Sequence, residues 1–201
     1  MVTQRRIEQG RLVYYRQEAT ADFWDDHWQS SEIDQLYQYA LEGIAAPKNI
    51  QRVYAQYLPR DEPIIEAGCG IGQVVLALRT MGYDAQGVDY AQKTIEQVKE
   101  RFPDLPLWVG DVTALNVPDG HYGGYISIGV IEHRQAGPEP FLKEAWRVLR
   151  PGGVALISVP YLNTLRQLKG RLGGYRGKPD GMAFYQYAYT RDQLQHFLTQ
   201  A

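Results

Sequence analysis

The chain has one cysteine, Cys69, in 201 residues. A lone cysteine excludes an internal disulfide and suits a reducing compartment. Charge of one sign is also missing: 21 Lys and Arg stand against 23 Asp and Glu, a formal net charge of -2, so no global field draws the chain to nucleic acid or an anionic membrane. No stretch approaches the roughly 20 apolar residues that cross a bilayer. The opening "MVTQRRIEQGRLVYYRQ" sets basic residues before no apolar core, so no secretory signal is expected there. Internal repeats are absent, and low complexity is confined to one Gly-rich segment. What is there, 44% hydrophobic and 22% charged residues, is enough for one domain with a substantial core, and the cytoplasm is its expected compartment.

Residues 20–60 read as helical. "SSEIDQLYQYALEG" offers Ser30 or Ser31 as N-cap, and "PKNIQRVYAQYL" opens on Pro47. Thereafter short apolar runs at 63–67, 84–88, 106–110, 122–129 and 153–160 alternate with amphipathic segments at 72–82, 91–102 and 138–150, the last closed by "RPGG". That alternation predicts an α/β fold of the doubly wound, Rossmann-like type, a mostly parallel sheet with helices on both faces. Four regions follow: a helical cap or lid over 1–60, an α/β core over 61–160, a basic loop or insertion over 161–189, and a truncated helix over 190–201.

The run "PIIEAGCGIGQ" ends the first apolar segment with Gly68, Gly70 and Gly72. Such a turn lies where open parallel sheets bind ligands, and glycines let the backbone come close to one. The dinucleotide fingerprint G-x-G-x-x-G needs its third glycine three places after the second; here the pattern is E-x-G-x-G-x-G and position 73 is Gln. An acid, Glu66, just ahead of the glycines suits a cationic ligand better than a pyrophosphate. S-adenosylmethionine, with a sulfonium and an ammonium and no phosphate, is of that charge type. Asp89 ends the second run, where an acid can take ribose hydroxyls, and Asp111 in "GDV" ends the third, within reach of an adenine amino group.

With these residues the chain resembles a class I S-adenosylmethionine-dependent methyltransferase over about residues 60–160. The resemblance rests on "IIEAGCGIGQ", "GVDYAQKTIEQVKER", "WVGDVTALNVPDGHYGGYISIGVIEH" and "PFLKEAWRVLRPGGVALISVP" in order. It implies that Glu66, Ala67 and Gly68 meet the methionine end of the cofactor while Gly70 and Gly72 shape the loop. Asp89 would hold the ribose, Tyr90 would lie against the adenine, and Asp111 and Val112 would flank it. Gly129 and Val130 would run beside the methionine portion and the transferable methyl. S-adenosylhomocysteine is then the product, and a small molecule the acceptor, whether at O, N or C. Cys69 reads as a small filler.

Two readings of His133, in "GVIEHRQ", stand: a general base for a hydroxyl acceptor, or a residue that packs against the cofactor. Glu132 beside it makes a pair without a third ligand, so no metal is expected. The aromatic cluster Tyr14, Tyr15, Phe23, Trp24 and Trp28 either closes over the site or anchors amphipathic helices. The segment 161–179 has five basic residues and no acidic one; it steers an anionic acceptor or is a solvated loop. The resemblance implies two further strands after the helix near Thr190; either the sequence is cut short of them, or the fifth strand's edge is to be covered or paired, as in a homodimer. Two other function classes remain: a non-catalytic cofactor- or partner-binding module, and an NAD-type oxidoreductase, which the glycine spacing opposes. No nucleic-acid partner is expected, because "IGVIEH" stands where base methylases resemble an Asp/Asn-Pro-Pro-Tyr/Phe pattern.

Overall fold

The computed structural model describes residues 3–29, 32–177 and 179–201. The chain opens with β1 (Gln4–Glu8) and β2 (Arg11–Arg16), then α1 (Ala21–His27), α2 (Ile33–Leu41) and α3 (Lys48–Tyr57). The alternating region runs β3 (Ile64–Ala67), α4 (Gln73–Thr80), β4 (Ala85–Asp89), α5 (Gln92–Arg101), β5 (Leu107–Val109), β6 (Tyr122–Ile128), α6 (Glu139–Val148) and β7 (Leu149–Ser158). The rest holds α7 (Thr164–Arg171), β8 (Ala183–Ala188) and α8 (Arg191–Gln200).

The central sheet has the order β5-β4-β3-β6-β7, and all its pairings are parallel. Successive side chains of a strand point to opposite faces, and β3 shows it. Ile64 joins a core cluster with Tyr37 of α2, Val75 of α4 and Ile95 of α5. Ile65 joins a different cluster with Tyr125 and with Ala145 and Val148 of α6. Both isoleucines are fully buried, so truncating either to alanine costs about 2–5 kcal/mol. The chain leaves β3 for β4 and β5 on one side, then returns to β6 and β7 on the other. The gap between the carboxyl ends of β3 and β6 is therefore the switch point where such sheets take ligands.

Within the stretch expected to be a helical cap, residues 4–16 form a β-hairpin instead. Gln9 and Gly10 both have positive φ, 49° and 75°, the backbone of a two-residue hairpin turn, and the Leu12–Tyr15 run suits a strand. The hairpin is completed by β8, which pairs antiparallel with β2 from far along the chain, a partner no local pattern announces. The region 161–189 likewise holds α7 and β8 rather than a loop alone. β7 starts at Leu149, ahead of the expected 153, and a register irregularity opposite Tyr122–Gly124 absorbs the "RPGG" run. The expected caps Ser30 and Ser31 lie outside the described residues; α2 starts after Glu32, which makes no side-chain cap bond. α8 opens on a full capping box of Thr190 and Gln193.

Among the described residues no strand pairs with the outer edge of β7. Beside it runs a groove of about 780 Å³ lined in part by Leu142, Trp146, Leu149, Ile157 and Leu198.

Candidate active site

The glycine loop is left-handed at three positions: Gly68 has φ 84°, Gly70 φ 50° and Gly72 φ 69°. Space demands glycine as well as conformation. A Cβ on Gly68 would lie 2.4 Å from Val130 Cγ2, and one on Gly70 would lie 2.6 Å from the Trp28 indole. Gly72 stands at the N-cap of α4 and has no side chain to satisfy the helix's first N–H groups. Beneath it, the Val75 backbone N–H favours the charged form of the Glu66 carboxyl. Glu66 is buried beneath the loop, its Oε2 has no partner, and burial with Asp89 nearby pushes its carboxyl well above the usual range.

At the end of β4, Asp89 Oδ2 accepts the Gly70 N–H at 2.8 Å and Oδ1 accepts the Ala91 N–H at 2.9 Å. The carboxylate thus fixes the loop, and Asp89 also lines the cavity. Burial raises its pKa and these N–H bonds oppose the rise. Tyr90 donates its hydroxyl to the Ala19 carbonyl at 2.8 Å. Beyond β5, Asp111 Oδ1 accepts both the N–H and the hydroxyl of Thr113 at 2.7 Å, which orders the turn that presents Val112.

At the end of β6, Gly129 has φ 69° and leads into a short turn over Ile131–His133. His133 Nδ1 lies 2.8 Å from the Tyr185 carbonyl. A carbonyl only accepts, so Nδ1 carries the proton and Nε2 keeps its lone pair. Burial lowers the His133 pKa, the Tyr185 carbonyl opposes this, and His27 lowers it further; the ring is neutral near pH 7. The neighbouring Glu132 is buried with Oε2 unpartnered, and burial pushes its carboxyl up to about 7. Among the described residues no group of three or more His, Cys, Asp or Glu is arranged to hold a metal ion.

The far wall comes from α1. Asp25, 4% exposed, accepts the Thr94 N–H and hydroxyl on one oxygen, both at 2.8 Å, and so holds α1 against α5. Trp24 packs edge-on against His133 with centroids 5.1 Å apart. The cavity, open on one side, is about 430 Å³, within the size range of ligand pockets.

Of the residues expected to meet a cofactor, Gly68, Asp89, Tyr90, Asp111, Val112, Gly129 and Val130 all line this cavity, with His133. Glu66, Ala67, Gly70 and Gly72 do not line it; they build the loop behind it. Trp24 and Trp28 of the aromatic cluster line it too, whereas Phe23 is buried beside them and Tyr14 and Tyr15 lie on β2. Cys69 is buried and packs against Gly87, as a filler would. Sequence reasoning missed Ala19, Thr113 and Phe141 on the wall and the Tyr185 carbonyl behind His133, which reaches the site only because β8 pairs with the hairpin.

A doubly wound parallel sheet with a left-handed glycine loop and acids at successive strand ends defines a nucleotide-cofactor site of the Rossmann-like class. Residues 65–157 match the family described as a methyltransferase domain, and this segment is similar to S-adenosylmethionine-dependent methyltransferases. A probable S-adenosylmethionine-dependent methyltransferase of Mycolicibacterium smegmatis is 34% identical over 110 residues, covering 55% of this chain and 42% of the relative. The 2-methyl-6-phytyl-1,4-hydroquinone methyltransferase of a Synechocystis species is 30% identical over 166 residues, 75% of this chain and 47% of that protein. The chain thus spans less than half the length of these curated relatives. A solved Pyrococcus horikoshii protein shares the fold with a TM-score of 0.62 at 18% identity, covering 86% of this chain and 82% of its own. The family's cofactor is S-adenosylmethionine, and the residues fit it: a nearly buried carboxylate, Asp89, on the wall for a ribose, and an unpartnered buried Glu66 oxygen behind the loop.

Proposed function

We propose that the chain binds S-adenosylmethionine in this cavity and transfers its methyl group to a hydroxyl of a small molecule. The cofactor supplies a methyl already activated on a sulfonium; the protein aligns the partners, excludes water and manages the proton. Asp89 would hold the ribose, Tyr90 and Val112 the adenine, and Gly68, Gly129 and Val130 the methionine end, with Glu66, Ala67, Gly70 and Gly72 shaping the loop. Trp24 and Trp28 would shield the cation from water by cation–π contact. The observation that carries the hydroxyl reading is His133: its Nδ1 is tied to the Tyr185 carbonyl, so a neutral ring offers Nε2 to an acceptor proton.

Supporting a small acceptor are the modest cavity and its apolar lining of Trp24, Ile128, Val130 and Phe141. The sequence pI of about 6.1 does not favour nucleic acid, and a single cysteine favours the cytoplasm. No helix among the described residues is long and apolar enough to cross a membrane. The ten-residue β7, whose outer edge no strand among the described residues pairs with, suits pairing with a second copy. The test is S-adenosylhomocysteine formation against matched phenol, amine and thiol acceptors. Turnover confined to the hydroxyl series, and lost in His133→Ala, is expected; turnover on amines alone, indifferent to His133, would refute the hydroxyl reading.

A further inference from the structure

Helix α7 is amphipathic in an unusual direction, with its apolar stripe facing out. No residue of α7 is buried. Leu165 is 74% exposed, Leu168 50%, and Leu172 just past its end 78%. Spacings of three and four put these three on one face of the helix. Lys169 and Arg171, both exposed, flank that stripe on its two sides at 100° per residue. The opposite side meets the protein: a Cβ on Gly170 would lie 2.9 Å from Ile7 of β1, and Gln167 donates to the Leu162 carbonyl at 3.1 Å. Leu162 in turn is buried with Leu12 and Ala188, so the small sheet holds the helix with its leucines outward.

Three leucines at this exposure are not ordinary surface scatter, because they form one contiguous row. The charge around them has one sign, since residues 161–179 hold five basic residues and no acidic one. A leucine row edged by lysine and arginine matches the interfacial zone of an anionic bilayer: apolar side chains enter the acyl boundary and long basic side chains reach headgroup phosphates. A protein partner would have to be both greasy and acidic along one short groove, which is a narrower requirement. α7 also follows the carboxyl end of β7, the same end of the sheet that holds the cavity. We propose that α7 docks the chain on an anionic lipid surface, with that end of the sheet turned toward the bilayer. This does not depend on methyl transfer.

The test is co-sedimentation with vesicles of phosphatidylcholine alone and with an anionic phosphatidylglycerol fraction. Binding to the anionic vesicles, weakened by salt, is expected. Lys169→Glu with Arg171→Glu should cut it at least about tenfold, since each basic residue near such a surface contributes about 1 kcal/mol, or roughly fivefold. Leu165→Ser with Leu168→Ser and Leu172→Ser should cut it comparably while the circular dichroism spectrum stays unchanged, as exposed side chains carry no core packing. Absence of binding to anionic vesicles, or binding that survives both variants, overturns the proposal. So does a leucine variant that converts a dimer to a monomer in sedimentation velocity, which would assign the row to a second copy.

Discussion

Replacing Asp25 by alanine removes a single carboxylate that does not line the cavity, yet it should loosen the cavity wall. Asp25 Oδ1 accepts two bonds of 2.8 Å from Thr94 in a buried setting. Thr94 is the third residue of α5, so its N–H has no partner inside the helix. The alanine variant leaves that N–H and a hydroxyl without an acceptor. Hydrogen bonds to a charged group contribute about 1.5–3 kcal/mol each; with some rescue by water, the total loss should be about 3 kcal/mol. Because α1 carries Trp24 and Trp28 on the cavity wall, affinity for S-adenosylmethionine should fall with it, by about tenfold for each 1.4 kcal/mol of binding energy that the loosened tryptophans no longer supply. Urea unfolding followed by tryptophan fluorescence reads the first quantity, and calorimetric titration the second. Asp25→Asn keeps an acceptor oxygen and should recover more than half of both. An alanine variant within about 0.5 kcal/mol of the parent, with unchanged affinity, would refute the clamp.

His133→Gln should slow methyl transfer by about a hundredfold or more with little change in cofactor affinity. In the parent, kcat/KM should hold down to an acid limb below 6.5, because burial lowers the His133 pKa and the ring acts only when unprotonated; a limb above 6.5 would contradict this. Glu132 titrates near 4.5 when unfolded and at about 7 in the fold, so its contribution to stability is full below 4.5 and is lost as pH rises to about 7. The loss amounts to about 3 kcal/mol; urea series at pH 5 and pH 8 should show it in the parent and not in Glu132→Gln. Gly68→Ala, at φ 84° and with its Cβ against Val130, should cost about 1–3 kcal/mol. Adding Val130→Ala should restore only part of this, because the backbone strain persists; full restoration would assign the whole cost to the clash.

The sheet was legible because its signals are local. Each of the five strands falls at or within two residues of an apolar run except at β7, which starts at Leu149 because "RPGG" bulges within the strand rather than preceding it. The glycines and acids were legible because their positions relative to strand ends decide what they face. Glu66 was legible as an acid but not as a buried one: it lies beneath the loop and does not line the cavity. The hairpin and β8 were illegible for a topological reason. Their strands become strands by pairing with each other across the length of the chain, and that pairing also delivers Tyr185 to His133. The exposed row on α7 was hidden in a segment whose charge alone had drawn notice.

The central claim is that this cavity is an S-adenosylmethionine site, and calorimetric titration of the purified chain tests it most directly. One saturable site for S-adenosylmethionine is predicted, with NAD failing to bind and Asp89→Ala weakening the affinity at least about tenfold. Tight binding of NAD with no uptake of S-adenosylmethionine would contradict the account.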